Sequence, residues 1–133
     1  MVKADVIVLA TPVYFYTMSA QMKTLIDRSC ARYTEISNKD FYFIATMAET
    51  EANRIERTFE SLRGFTDSLE GPREKGTIAA IGVWQKGEVN DKPYMQQAYE
   101  MGKAILKLFY PALIGMQNYF LTFVQIQPQV VLF

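Results

Sequence analysis

A continuous apolar run, Val6 to Ala10, is the feature of this sequence that most constrains its fold. Its length and composition are typical of a strand that is buried on both faces, as in a parallel sheet. Pro12 and a group of aromatic residues follow without alternating or helical period, which predicts a loop. Ser19 then offers a helix N-cap, and apolar residues follow at helical spacing: Met22, Leu25 and Ile26. The stretch therefore predicts strand, loop and helix, with the loop at the strand's carboxyl end, where open parallel sheets bind ligands.

The aromatic residues of this loop, Tyr14, Phe15 and Tyr16, allow two interpretations. They could be packing residues of a surface turn, because aromatic side chains in loops often pack against a neighbouring helix. They could instead line a flat, conjugated ring, close to the unpaired N–H groups at the start of the following helix. The residues alone favour neither interpretation.

The rest of the chain repeats the alternation of strands and helices. Apolar runs predict three buried strands, near residues 4–10, 41–46 and 77–83. Apolar stripes at helical spacing predict three helices, near residues 19–32, 50–69 and 93–108. This alternation predicts a parallel α/β sheet with right-handed crossovers. We therefore expect the first two helices on one face of the sheet and the third helix on the other face.

Several segments carry a family resemblance, and they occur in a consistent order. The most specific runs from Thr11 to Arg28. The later ones are Arg32–Thr34, Ala45–Glu49, Phe59–Phe65, Gly82–Trp84 with Lys86–Val89, and Ala98–Lys103. Together they resemble the NADPH-dependent FMN reductase family, in which the first segment contacts the flavin. The resemblance extends from about Ala4 to about Ile105 and implies an α/β, flavodoxin-like three-layer fold with a parallel sheet.

The same resemblance implies that FMN binds at the carboxyl ends of the strands. The isoalloxazine ring and ribityl chain would contact Thr11, Pro12, Val13, Tyr14, Phe15 and Tyr16. The other edge of the ring would contact Thr46, Met47 and Ala48. The loop of Trp84 would close over the site or contribute to it across a dimer. For Met47 and Trp84, packing in the core or in an interface is an equally weighted alternative.

The function implied by the resemblance is that of an FMN-dependent NAD(P)H oxidoreductase of the flavin or quinone reductase type. NAD(P)H would donate electrons to a small-molecule acceptor, in a cytoplasmic homodimer. No catalytic side chain is required, because the cofactor itself performs the hydride transfer.

An alternative function follows from what the sequence does not contain. The resemblance covers the carboxyl-terminal two thirds of the family, whose first strand and phosphate-binding loop would lie before Met1. No Gly/Ser-rich phosphate cradle occurs elsewhere in the sequence. The fold is therefore expected to be incomplete at the amino-terminal side and to bind FMN far more weakly than a complete family member. The alternative is a truncated, non-catalytic interaction module.

Composition excludes several other classes of function. The 133 residues make at most one domain, and Lys+Arg and Asp+Glu both number 14, so no basic excess indicates a nucleic-acid partner. The sequence contains no histidine, which excludes a Ser-His triad and a His-based metal site. Cys30 is the only cysteine. It can form no intramolecular disulfide and cannot ligate an iron–sulfur cluster alone, and it fits a reducing cytoplasm.

The carboxyl-terminal segment differs from the rest of the chain. Every charged residue lies at or before Lys107, which divides the chain into a partial flavodoxin-like domain, 1–108, and an uncharged tail, 109–133. Proline, asparagine and glutamine residues make the tail a poor membrane span. Tyr119–Gln125 is β-prone and could pair with Val6–Ala10 in place of the family's first strand. There are two alternatives to this pairing: the tail could pair with a second copy of the chain, or it could be a disordered terminus.

Overall fold

Three parallel strands form the centre of the fold, as the sequence predicts. The computed structural model describes residues 1–109 and 130–132. Its strands are β1 (Val6–Tyr14), β2 (Thr17–Met18), β3 (Asp40–Thr46), β4 (Arg73–Ala80) and β5 (Val130–Leu132). Its α-helices are α1 (Ala20–Ser29), α2 (Glu56–Thr66) and α3 (Tyr94–Phe109). Short 3₁₀ helices cover Cys30–Glu35, Ala52–Arg54 and Glu88–Asp91.

The order of the strands places β1 between β3 and the two short strands. β1 pairs with β3, and β3 pairs with β4, in both cases parallel. β2 pairs antiparallel with the end of β1, and β5 pairs parallel with its beginning. Parallel pairing of the three central strands, with helices between them, confirms the predicted α/β, flavodoxin-like fold class.

Different helices pack against the two faces of the sheet. Alternate residues of β1 and β3, such as Ile7 and Phe43, belong to one apolar cluster with Met22 of α1 and Leu62 of α2. The intervening residues belong to a second cluster with α3: Val6, Val8 and Tyr42 with Ile105. Side chains of a strand point alternately to opposite faces, so a continuous apolar run supplies both clusters. The predicted arrangement, two helices on one face and one on the other, is confirmed.

The bounds of several elements differ from the predictions. β1 continues through Pro12 to Tyr14, whereas the predicted strand ended at Ala10. β4 begins at Arg73 and ends at Ala80, ahead of the predicted 77–83, because its polar first residues pair with the start of β3. Apolar runs report burial rather than strand pairing, so they missed both extensions, in which exposed residues such as Pro12 and Arg73 are also aligned in the sheet. Of the predicted helix at 50–69, only Glu56–Thr66 is α-helical. The predicted helix at 19–32 is α-helical as far as Ser29 and continues as a 3₁₀ helix from Cys30.

The edge of β1 that was expected to accept a tail strand does accept one. β5 aligns Val130, Val131 and Leu132 with Val6, Ile7 and Val8. The segment named by the sequence prediction, Tyr119–Gln125, lies outside the described residues. Among the helices that the structure describes, none is long and apolar enough to cross a membrane.

Candidate functional site

The three predicted ligand segments meet at one edge of the sheet. In the strand register, Pro12 of β1 aligns with Thr46 of β3, and Thr46 aligns with Ala80 of β4. The chain leaves all three strands at or soon after this level. The hairpin of β1, the loop after Thr46 and the loop of Trp84 therefore start from the same edge, the position where parallel sheets bind ligands.

The hairpin that ends β1 has an unusual backbone. Tyr14 pairs with Thr17, and the two residues between them, Phe15 and Tyr16, have φ angles of 50° and 63°. Positive φ at both central residues matches a type I′ turn, which normally carries Asn or Gly there. For bulky residues this conformation is a genuine outlier that costs about 1–3 kcal/mol each, and such strain clusters at ligand sites.

The three aromatic residues of this hairpin have different surroundings. Phe15 has a relative exposure of 101%, and Tyr14 is exposed as well. Tyr16 is partly buried and packs against the core cluster shared with α1 and α2. Its ring also lies under the guanidinium groups of Arg54 and Arg57. Tyr16 therefore fits the packing interpretation. Tyr14 and Phe15 present their rings to solvent, and their role in lining a flat ring stays a prediction.

Thr11 and Ser19 are bonded to each other inside the protein. The Ser19 N–H donates to Thr11 Oγ1 at 3.0 Å, and the Thr11 hydroxyl donates to the Pro12 carbonyl at 2.9 Å. Ser19 Oγ in turn accepts from the Met22 N–H at 3.2 Å, which confirms the predicted N-cap of α1. The Thr11 hydroxyl is therefore engaged within the chain, whereas Pro12 is exposed and Val13 is half-buried.

The loop after β3 is tied to the loop after β4. The Met47 N–H donates to the Ala80 carbonyl at 2.8 Å, and the Met47 carbonyl accepts from the Val83 N–H at 2.9 Å. The Met47 side chain is buried in the core, which supports the packing alternative for that residue. Ala48 is exposed and Thr46 half-buried at the same edge, so these two residues remain accessible to a ligand.

The loop of Trp84 is held by the carboxylate of Glu88, to which the sequence pattern assigned no structural role. The backbone N–H groups of Trp84 and Gln85 donate to Glu88 Oε2 at 2.7 and 2.9 Å. These backbone bonds, from Gln85 first and Trp84 second, lower the pKa of Glu88 below its ordinary value. Trp84 has a relative exposure of 77%. Core packing of Trp84 therefore finds no support among the residues that the structure describes, whereas packing in an interface stays a prediction.

The groups at this edge fit an aromatic ring better than a phosphate. Tyr14, Phe15 and Trp84 offer exposed rings against which a flat heterocycle can stack. By contrast, the Ser19 and Met22 N–H groups at the start of α1 already have acceptors within the chain. No group of three His, Cys, Asp or Glu residues in 1–109 and 130–132 is placed to hold a metal ion.

Comparison with known proteins supports the family that the motifs suggested. Residues 1–65 match the model of the NADPH-dependent FMN reductase family. The matched segment contains β1, its hairpin, α1, β3 and nearly all of α2, and it includes every predicted site residue except Trp84. No curated protein matches the chain. At the level of the family, the match supports an FMN-dependent, NADPH-reductase-like function. Residues 1–65 of this 133-residue chain are thus similar to the NADPH-dependent FMN reductase family.

Proposed function

We propose that the chain binds the isoalloxazine ring of FMN at the carboxyl edge of its sheet and acts as an NAD(P)H oxidoreductase. The electrons would pass to a small-molecule acceptor such as a quinone or another flavin. One observation carries the proposal: the strained turn that holds Phe15 fully exposed, within the segment that matches the family. A side chain that only packed would be buried, and Phe15 is not.

The residues around the turn have distinct roles in this proposal. Tyr14 and Phe15 supply aromatic faces for the ring, and Trp84 supplies a third face from the neighbouring loop. Glu88 keeps the Trp84 loop in place through its two backbone hydrogen bonds. Ala48 lets the edge of the ring approach the backbone closely, since its side chain is small. When bound, FMN supplies the redox chemistry itself, so the chain's task is binding and orientation.

We also propose that the active species is a cytoplasmic homodimer, which the family resemblance implies. Exposed apolar side chains on the Trp84 loop and α3 support self-association: Trp84, Met95, Tyr99 and Leu108. The lone, exposed Cys30 suits a reducing compartment. Sedimentation velocity across a concentration series tests the dimer, and a monomer at all concentrations would contradict it.

The decisive experiment compares FMN with riboflavin, which lacks the phosphate. Titration followed by flavin fluorescence should give similar affinities for the two compounds, because the site offers ring contacts and the sequence contains no Gly/Ser-rich phosphate cradle. Phe15→Ala should weaken both by about three- to tenfold, the usual value of one aromatic contact. Tyr33→Ala is the matched control, since Tyr33 is also exposed but lies after α1, toward the opposite edge of the sheet.

Each outcome of this titration has a clear meaning. Binding of both flavins that depends on Phe15, together with flavin-stimulated oxidation of NADPH, supports the oxidoreductase. No binding of either flavin overturns it and favours the non-catalytic interaction module. Micromolar or tighter binding of FMN alone would contradict the weak affinity that the sequence predicts.

A further inference from the structure

We propose that Arg54 and Arg57 are positioning residues that hold Tyr16, and through Tyr16 the strained turn that presents Phe15. The consequence for ligand binding rests on the proposed flavin site. The consequence for the backbone of the turn does not, since it can be measured without any ligand.

The contact is made by two cations on one ring. The guanidinium carbons of Arg54 and Arg57 both lie over the Tyr16 ring, each 5.7 Å from its centroid. Arg54 ends the 3₁₀ helix Ala52–Arg54, and Arg57 lies in the first turn of α2. A cation within about 6 Å of an aromatic centroid is attracted by the negative face of the ring. Both arginines therefore bind the same side chain from the connection that follows β3.

The two arginines differ in their other partners. Arg54 Nε donates to Glu51 Oε2 at 2.9 Å, so its charge is already compensated. Arg57 forms no hydrogen bond or ion pair with any residue in 1–109 or 130–132, and the Tyr16 ring is the contact the structure gives it. Arg57 is consequently the cleaner residue to test, since its replacement removes the ring contact without breaking an ion pair.

The turn needs such a contact because little else holds it. Phe15 is fully exposed, so its side chain contributes no packing. β2 adds only the pairs Val13 with Met18 and Tyr14 with Thr17. Two side-chain bonds lie further from the turn among the described residues: the bond from the Ser19 N–H to Thr11 Oγ1 at 3.0 Å, and a long one from Thr17 Oγ1 to Ser61 Oγ at 3.4 Å. Tyr16 is therefore the residue of the turn through which the rest of the protein can stabilise a positive φ angle.

This arrangement links two of the three segments at the candidate site. The turn follows β1, whereas both arginines follow β3, so the Tyr16 contact fixes the first segment against the second. Loss of the contact would release the turn toward ordinary negative φ angles, which cost less for aromatic residues. Phe15 would then leave its position in the turn that follows β1.

The test begins on the ligand-free protein, with NMR couplings and chemical shifts that report the backbone of Phe15 and Tyr16. Arg57→Gln should raise the population of turns with negative φ by about two- to fivefold, as expected for one exposed cation–π contact. Arg57→Lys keeps the cation and should restore the native signals. In a Tyr16→Leu background, Arg57→Gln should have no further effect, as in a double-mutant cycle. Arg28→Gln is the control, since Arg28 is an exposed arginine on α1.

Flavin titration of the same variants separates this proposal from the proposed function. A shifted turn with a parallel loss of flavin affinity supports both. A shifted turn in a protein that binds no flavin supports the positioning role and overturns the flavin site. Native couplings and shifts in Arg57→Gln overturn the positioning role, whatever the flavin affinity.

Discussion

The backbone N–H of Ser19 donates a hydrogen bond to the hydroxyl oxygen of Thr11 at 3.0 Å, and both residues are buried. The bond spans the hairpin, because Thr11 lies within β1 and Ser19 is the N-cap of α1. It fixes where the helix begins relative to the strand. The hydrogen bond therefore joins the two segments between which the turn with Phe15 lies.

Thr11→Val should destabilise the protein by about 1–3 kcal/mol, because the buried Ser19 N–H loses its acceptor. Urea denaturation measures the change. Thr11→Ser keeps the hydroxyl and should therefore lose clearly less stability than Thr11→Val. Equal stability of Thr11→Val and the parent chain would show that this N–H finds another acceptor.

Gly64→Ala should stabilise the protein by about 0.5–1 kcal/mol, because glycine is unfavourable inside a helix. The added Cβ would meet no atom within 4 Å. Gly71→Ala is the contrasting variant, since Gly71 has φ +60° and an added Cβ would clash with Asn38 Oδ1. The midpoint temperature of thermal unfolding should rise for Gly64→Ala and fall for Gly71→Ala. A change in the same direction for both variants would contradict the structure.

Stability should fall in acid partly through Glu74. Arg63 donates hydrogen bonds to both Glu74 carboxylate oxygens, at 2.8 and 2.9 Å, and this lowers the pKa of Glu74 below its ordinary 4.5. The folded state thus favours the carboxylate. Its contribution is present above the pKa of the unfolded chain and is lost as the pH falls through the lower pKa of the folded chain.

Glu74→Gln should accordingly reduce stability at neutral pH and flatten the loss of stability below about pH 4.5. The effect should be at most about 1 kcal/mol, because the pair is partly solvated. Urea denaturation at several pH values measures it. The difference from the parent chain should shrink in high salt, which screens partly exposed charges; a difference that grows with salt would speak against the ion pair.

Removal of residues 130–133 should lower stability and promote self-association, because β5 would no longer pair with the start of β1. A bare strand edge accepts other chains. Light scattering and hydrogen exchange measure the two effects. Rapid exchange of the amides of 130–132 in the intact protein would rule out the pairing.

Much of the candidate site could be predicted from the sequence, because its position follows from local patterns. Pro12 and the aromatic residues after a buried strand marked the carboxyl edge, and Ser19 with Met22 marked the start of α1. The patterns did not separate Tyr16, which packs inside, from Phe15, which is exposed. They also gave no signal for Arg57, whose partner is distant in the sequence.

The sequence by itself determined the alternation of strands and helices and the two faces of the sheet, because apolar periodicity directly encodes which side chains are buried. It also carried the family resemblance that residues 1–65 confirm. Only the tertiary structure decided the rest: the positive φ angles of Phe15 and Tyr16, the burial of Met47, and the pairing of Val130–Leu132 with Val6–Val8. Each of these depends on contacts between segments far apart in the chain, and local propensity does not encode which distant segment will meet a strand edge or a turn.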